Sequence, residues 1–247
     1  MAHAVWSVPG AGRDAVLHLR PDGSVFSPAS SDQPGTLWVA DVHLGKAHQY
    51  RALGMPVGER VRDGSDTDTL SRLCAALLVT GAERLVVLGD LVHGVHTGPA
   101  LKDLVERLAD TVPALSHTVL VCGNHDVRPD SLPLAGWQLV PETSGWRQGP
   151  WCGVHAPPVS HHAAEISQPA TVHLAGHLHP CLRLQGPGRD ALRLPCFWLQ
   201  AAHQGRPACL VLPAFGSFTG GHPVQPAPAD TAWVVADGRV LAVPGRA

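Results

Sequence analysis

No apolar run in this 247-residue chain approaches the roughly 20 residues that a membrane-spanning helix needs, so nothing in it supports a bilayer reading. The opening MAHAVWSVPG carries neither a basic segment nor an apolar one, and no secretory signal is visible in it. The cysteines at 74, 122, 152, 181, 196 and 209 make no CxxC pair and lie in apolar surroundings, the pattern of reduced core thiols in a cytoplasmic protein. A formal net charge of −2 gives no global attraction to nucleic acid or membrane, so any affinity for a polyanion has to be local. What the chain does have is 45% apolar residues with 15% charged, enough to bury a large core as one domain over residues 1–247. Its 26 glycines and 23 prolines are scattered, so they punctuate turns and mark no low-complexity tract. Its 16 histidines exceed what a core needs, which favours metal chemistry without locating it.

Location comes from Leu85 to Gly94, LVVLGDLVHG. Leu85, Val86, Val87 and Leu88 form a short, largely β-branched run that suits a strand buried on both faces. Gly89 lets the backbone turn, which leaves Asp90 at the strand's carboxyl end with two oxygens able to bridge two ions, and His93 on the same loop. The design recurs: Leu37 to Ala40 runs into Asp41-Val42-His43, Thr118 to Cys122 into Gly123-Asn124-His125-Asp126, and Thr171 to Ala175 into Gly176-His177-Leu178-His179. Sites in α/β sheets form at the carboxyl ends of strands. Four such strands in one sheet would gather Asp41, His43, Asp90, Asn124, His177 and His179 into a binuclear metal site. His155, which ends the apolar Trp151-to-Val154 run, is a candidate for the remaining ligand, and His161 and His162 compete with it. His173 lies inside a strand run and reads as a packed histidine, and no cysteine falls in a ligand motif. Oxygen and nitrogen donors together suit Mn²⁺, Fe or Zn²⁺ and argue against a thiolate zinc site.

The remaining pattern frames these loops. His18 to Phe26 reads as a hairpin turning at Asp22-Gly23, and Thr36 to Ala40 as the first core strand. A short helix is expected near Ala47 to Leu53. Leu70, Leu73, Cys74, Leu77 and Leu78 predict a second helix, with Ser65 or Asp66 as N-cap and Gly81 as the stop. Leu101, Leu104, Val105 and Leu108 predict a third, ending before Pro113. Beyond Pro133 the strands shorten, as in Trp151 to His155 and Leu192 to Gln200, which points to a sandwich of sheets with helices outside.

In order, DxH, GDxxH, GNHD, His155 and GHLH resemble the calcineurin-like metallophosphoesterase superfamily over Asp41 to His179. More closely, DVHLGKA, RLVVLGDLVHG, LAGHLHP, LRLPCFWL and LPAFGSFTG resemble the ligase-associated DNA damage response endonucleases, a bacterial branch of it. The resemblance implies an α/β fold, a calcineurin-like sandwich of two mixed β-sheets flanked by α-helices. It implies one metal held by Asp41, His43, Asp90 and His179 and a second by Asp90, Asn124, His155 and His177, with Asp90 bridging. Two such ions, about 3.5–4 Å apart, clamp a phosphate for in-line attack. His125 would protonate the leaving group or stabilise developing charge, Asp126 would orient its ring, and His93 would contact phosphate. Mn²⁺ is the metal implied, DNA in a repair context the substrate, and ligase, helicase or nuclease repair proteins the partners; the open access that a two-metal clamp needs makes single-stranded or looped DNA the expected form.

A small-molecule phosphodiesterase or nucleotide pyrophosphatase would use the same metal core. A scaffold that had lost its metals is argued against by the intact ligand set, and a histidine-rich metal store by the placement of each ligand after a strand. Arg183, Arg189, Arg193 and Arg206 follow the GHLH motif and suit either a nucleic-acid groove or a solvated face.

Overall fold

Strands that are apolar on both faces need cover on both sides, and this chain provides it with a second sheet on one side and helices on the other. The computed structural model describes residues 3–8, 15–94, 98–126, 132–159, 172–186 and 190–244. Its first sheet is seven-stranded, in the order β1 (Ala4–Ser7), β2 (Val16–Leu19), β3 (Val25–Ser27), β4 (Thr36–Ala40), β5 (Arg84–Leu88), β6 (His117–Val121) and β7 (Gln138–Val140). Strands β1 to β4 pair antiparallel and β4 to β7 parallel, so the sheet is mixed. The second, nine-stranded sheet is built from β8 (Trp146–Gln148), β9 (Trp151–Gly153), β10 (Val172–Ala175), β11 (Pro180–Gln185), β12 (Ala191–Gln200), β13 (Cys209–Val211), β14 (His222–Pro223), β15 (Thr231–Ala236) and β16 (Arg239–Val243). It too is mixed, with β10 parallel to both β9 and β13 and β12 antiparallel to β11, β13 and β15. The result is a calcineurin-like sandwich flanked by α-helices.

Alternation along β5 shows how one sequence serves two cores. Val86 and Leu88 point into the sandwich with Trp38, Ala40, Val119 and Val121, against Val172, Leu174, Phe197, Leu210 and Trp233 of the second sheet. Leu85 and Val87 point the other way, with Leu37, Val39 and Leu120, against the helices α2 (Glu59–Thr80) and α3 (Gly98–Thr111). Those helices contribute Leu70, Leu73, Leu77, Leu101, Leu104 and Leu108, the residues whose spacing predicts them. Cutting such a wholly buried leucine back to alanine costs about 2–5 kcal/mol. All six cysteines are free and buried. Among the described residues, no helix is long and apolar enough to cross a membrane.

Two expectations from the sequence are corrected. The strand before GHLH, β10, belongs to the second sheet, where its partners are β9 and β13, so the four ligand loops do not come from one sheet. Helix α2 begins at Glu59 with Gly58 as its N-cap residue, which leaves Ser65 and Asp66 inside the helix. Asp66 serves a neighbour instead. Both of its oxygens accept the backbone N–H of Gly45, 3.1 Å away, at the entry to helix α1 (Lys46–Ala52). The expected stop at Gly81 is present, in the left-handed conformation at φ 63°.

His173 is the packed histidine its strand setting predicts, buried at 4% exposure on β10. Burial, and secondarily the charge of Arg147, hold its pKa down at about 4, against 6.5 for the free side chain. Between those values the unfolded chain takes up a proton that the fold refuses, so the stability this residue allows above pH 6.5 is lost as pH falls towards 4. His173→Leu, which cannot titrate, is expected to flatten that part of the acid limb. Thermal midpoints of the metal-free protein in half-unit steps from about pH 7 to about pH 4 measure it, and parallel curves for the two proteins would exclude the effect.

Candidate metal centre

Parallel register brings the strand ends level: Ala40 pairs with Leu88, and Leu88 with Val121. Asp41, Asp90 and Asn124 therefore leave the first sheet side by side. The second sheet meets them at the same edge, where the Phe215 N–H donates to the Ala40 carbonyl (2.8 Å) and the Gly176 N–H to the His155 carbonyl (2.9 Å). The seam is closed by Asp41, whose carboxylate oxygens accept the His177 N–H at 3.0 and 2.8 Å. All the predicted ligands are brought together here, including His155; His161 and His162 lie outside the described residues.

Within the seam the side chains fall into two sets around Asp90. Its Oδ2 lies 3.7 Å from His43 Nε2, and its Oδ1 lies 3.6 Å from His155 Nε2. On the first side, His43 Nε2 is 3.1 Å from His179 Nε2, and His179 Nε2 is 3.5 Å from Asp41 Oδ1. On the second, His155 Nε2 is 3.0 Å from both Asn124 Oδ1 and His177 Nδ1. Asp41, His43 and His179 form one group of potential ligand atoms within 4.8 Å of one another, and Asp41, Asp90 and His155 form another. Two His/Asp clusters that share the Asp41 carboxylate, with Asp90 turned to a histidine of each, are the makings of a binuclear site.

Proton positions make the case for cations. His155 Nδ1–H donates to the Leu88 carbonyl at 3.2 Å, so Nε2 must present a lone pair, and it faces the carboxamide oxygen of Asn124. Two acceptors in contact repel unless a positive charge stands between them. His43 obeys the same logic. Burial foremost, then the charges of Lys46 and neighbouring histidines, push its pKa down to about 2, so it is neutral. Its Nδ1 lies 3.2 Å from His93 Nδ1, and the tautomer that places the proton in that contact leaves His43 Nε2 as a donor to a metal. The residues fit two divalent ions of the oxygen- and nitrogen-seeking kind.

The backbone is bent to the same end. Among the described residues seven non-glycines have positive φ, and five of them are Asp41, His43, Asp90, His177 and His179. For an L side chain this region costs roughly 1–2 kcal/mol, and such strain persists where the surroundings over-determine it. Gly89 is needed for a different reason: at φ 77° a Cβ there would sit 2.0 Å from His155 Nδ1. The ligand ring passes directly over the glycine.

The other predicted residues divide. His125 and His93 stack at the mouth with ring centroids 4.3 Å apart, and the His125 backbone N–H donates to Asp90 Oδ1 at 2.9 Å. Asp126 is a correction. Among the described hydrogen bonds none joins it to the His125 ring; its oxygens accept the backbone N–H groups of Val92 (3.2 Å) and Gly123 (2.9 Å). It clamps the GDLV loop to the GNHD loop, and burial raises its pKa to about 6 against the lowering effect of those two bonds. Lys46 is the residue that motif reasoning passed over, although it stands in DVHLGKA. Buried at 8% exposure, it donates through Nζ to the Thr219 carbonyl at 3.2 Å. Burial lowers its pKa, while the charges of Asp41 and Asp90 work the other way.

The chain is 30% identical to the Pseudomonas putida nuclease MPE in its crystal structure, with a TM-score of 0.66 over 98% of this chain and 100% of that one. It also aligns with Yfce, a phosphoesterase from E. coli, at 16% identity and a TM-score of 0.43 over 82% and 88% of the two chains. No family model matches the chain, and no curated protein matches it.

Because Asp90 turns one oxygen to His43 and the other to His155, Asp90→Ala is expected to lose both ions, whereas His179→Ala is expected to lose one. Metal content after equilibrium dialysis against Mn²⁺ distinguishes them. An Asp90→Ala protein that retains two ions per chain would remove the bridging role.

Proposed function

The chain belongs to the calcineurin-like metallophosphoesterase superfamily, and from that premise we propose that it is a manganese-dependent binuclear phosphodiesterase that cuts DNA internally, preferring single strands, in a repair setting. The observation that carries this reading is Asp90, its two oxygens turned to His43 on one side and His155 on the other. The Pseudomonas putida protein to which the chain is 30% identical is a nuclease, which favours a nucleic-acid phosphodiester over a free nucleotide.

Two divalent ions held by Asp41, His43, Asp90, Asn124, His155, His177 and His179 would supply Lewis acidity towards the phosphate and a strong nucleophile at neutral pH. The chain's own residues do the rest. Burial, and then the charges of His125 and Lys46, keep the His93 pKa near 4, so its ring is neutral at working pH. In the tautomer in which His93 Nδ1 accepts from His43 Nδ1, 3.2 Å away, the His93 proton sits on Nε2, where it can donate to a non-bridging phosphate oxygen. His125, half-buried and stacked on His93, is placed to deliver a proton to the leaving oxygen. Its backbone bond to Asp90 ties the position of that proton to the bridging carboxylate. Asp126 fixes the loop that carries both. An unpaired strand bends into such a seam more readily than a stacked duplex, which is the basis for the single-strand preference.

A circular single-stranded DNA tests the reading, because it offers no end to an exonuclease. With Mn²⁺ the circle is expected to become linear and then fragment. If it survives while a nucleoside diphosphate ester is hydrolysed well, a small-molecule phosphodiesterase or pyrophosphatase is the better account. His125→Ala is expected to keep its metals and lose about 10²–10⁴-fold in kcat on DNA. The loss should be smaller on an aryl phosphodiester, whose leaving group needs little protonation; equal losses on both would assign His125 to charge stabilisation instead.

A further inference from the structure

Beside the metal centre, the strand that leaves His179 carries two arginines that nothing in the catalytic account uses. Arg183 on β11 and Arg193 on β12 are direct partners in the antiparallel register, and both are exposed. Like charges placed opposite each other on a sheet destabilise it. Among the described residues neither guanidinium has an ion-pair or hydrogen-bond partner. Both line a cavity of about 580 Å³, with Leu182, Leu184 and Val224 among its apolar walls. The one acid in that lining, Asp230, is already occupied: its oxygens accept the N–H groups of Trp198, Ala201 and Ala227, each at 2.9 Å.

The cavity lies along the two segments that lead away from the metal centre. A depression lined by His177, His179, Thr219 and His222 adjoins the ligands. One wall runs on from His179 into β11, and the other from His222 into the segment Pro223 to Pro228. The walls are joined by β14, with the His222 N–H donating to the His179 carbonyl at 2.8 Å and the Val224 N–H to the Cys181 carbonyl at 3.0 Å. Four residues of extended strand place Arg183 about 13 Å from His179.

We propose that this groove takes the phosphodiester backbone of the DNA strand as it leaves the metal centre, with Arg183 and Arg193 on its phosphates and the apolar wall against sugars and unstacked bases. The proposal rests on the nuclease reading above. Paired, unneutralised guanidiniums that sit opposite one another call for an anion between them, and a polyanion threaded through the adjoining site is the one that reaches both. It also explains how a chain with a net charge of −2 can hold a polyanion.

The test uses the manganese-loaded protein, a single-stranded oligonucleotide and bis(p-nitrophenyl) phosphate over a series of salt concentrations. Arg183→Ala/Arg193→Ala is expected to lose tenfold or more in kcat/KM on DNA at low salt, with the loss confined to DNA. Its dependence of log kcat/KM on log salt should be shallower by about 1.4, the share of two single-strand phosphate contacts. Arg183→Lys/Arg193→Lys keeps the charges and should recover most of the slope. An unchanged slope and rate on DNA would overturn the proposal, as would a parallel loss on the aryl ester, which would make the arginines structural. If the unmutated protein hydrolyses the ester but leaves DNA intact, the nuclease reading fails first, and this inference falls with it.

Discussion

Everything at the seam follows from a close cluster of nitrogen and oxygen donor atoms turned towards one another. His155 Nε2 faces Asn124 Oδ1 at 3.0 Å, and His43 Nε2 faces His179 Nε2 at 3.1 Å. Between the two sets lies one carboxylate. With the carboxylates of Asp41 and Asp90, these imidazoles and the Asn124 carboxamide make a mixed oxygen and nitrogen donor set that divalent cations draw together. With Asp41 and Asp90 facing the single ammonium of Lys46, the seam is electrostatically short of cation. The rest of the fold holds that arrangement in place.

Two sheets are required to do so. Three parallel strands of the first sheet deliver Asp41, Asp90 and Asn124 in register, with His43 on the first of their loops. The second sheet brings His155, His177 and His179 from the opposite direction, and cross-sheet bonds such as His155 Nδ1–H to the Leu88 carbonyl lock rings and strands together. Strain is concentrated at the ligand positions: Asp41, His43, Asp90, His177 and His179 all take positive φ, and the turns that allow this are short and anchored on buried strands. The wide hydrophobic interface between the sheets, with Trp38, Leu88, Leu174 and Phe197 at its centre, fixes the distance across the seam.

Much of this was legible before any coordinates, and the reason is that the signal is local. An apolar run that ends in Asp, Asn or His needs only a few residues to declare both its strand and its ligand, and each such ending found its place at the seam. What the residues could not declare was long-range pairing. The sequence of β10 looks like that of β5, so nothing in it assigns the strand to a different sheet. Gly89 reads as a turn residue, yet its deeper necessity is the ring of His155, contributed from far along the chain. Asp126 stands beside His125 in sequence and was read as its orienter. A side chain's partner is set by the fold, and the unfilled N–H groups of Val92 and Gly123 were nearer. The start of α2 was misplaced because Asp66, a good cap by type, answers to Gly45.

The central claim is that one carboxylate holds two ions in contact, and the magnetism of manganese reports on that directly. Electron paramagnetic resonance of the protein loaded with two equivalents of Mn²⁺ should show the spectrum of an exchange-coupled pair, with its dense hyperfine pattern and a coupled ground state on cooling. Two isolated six-line signals at full loading would contradict the account, because ions that share Asp90 cannot be magnetically independent.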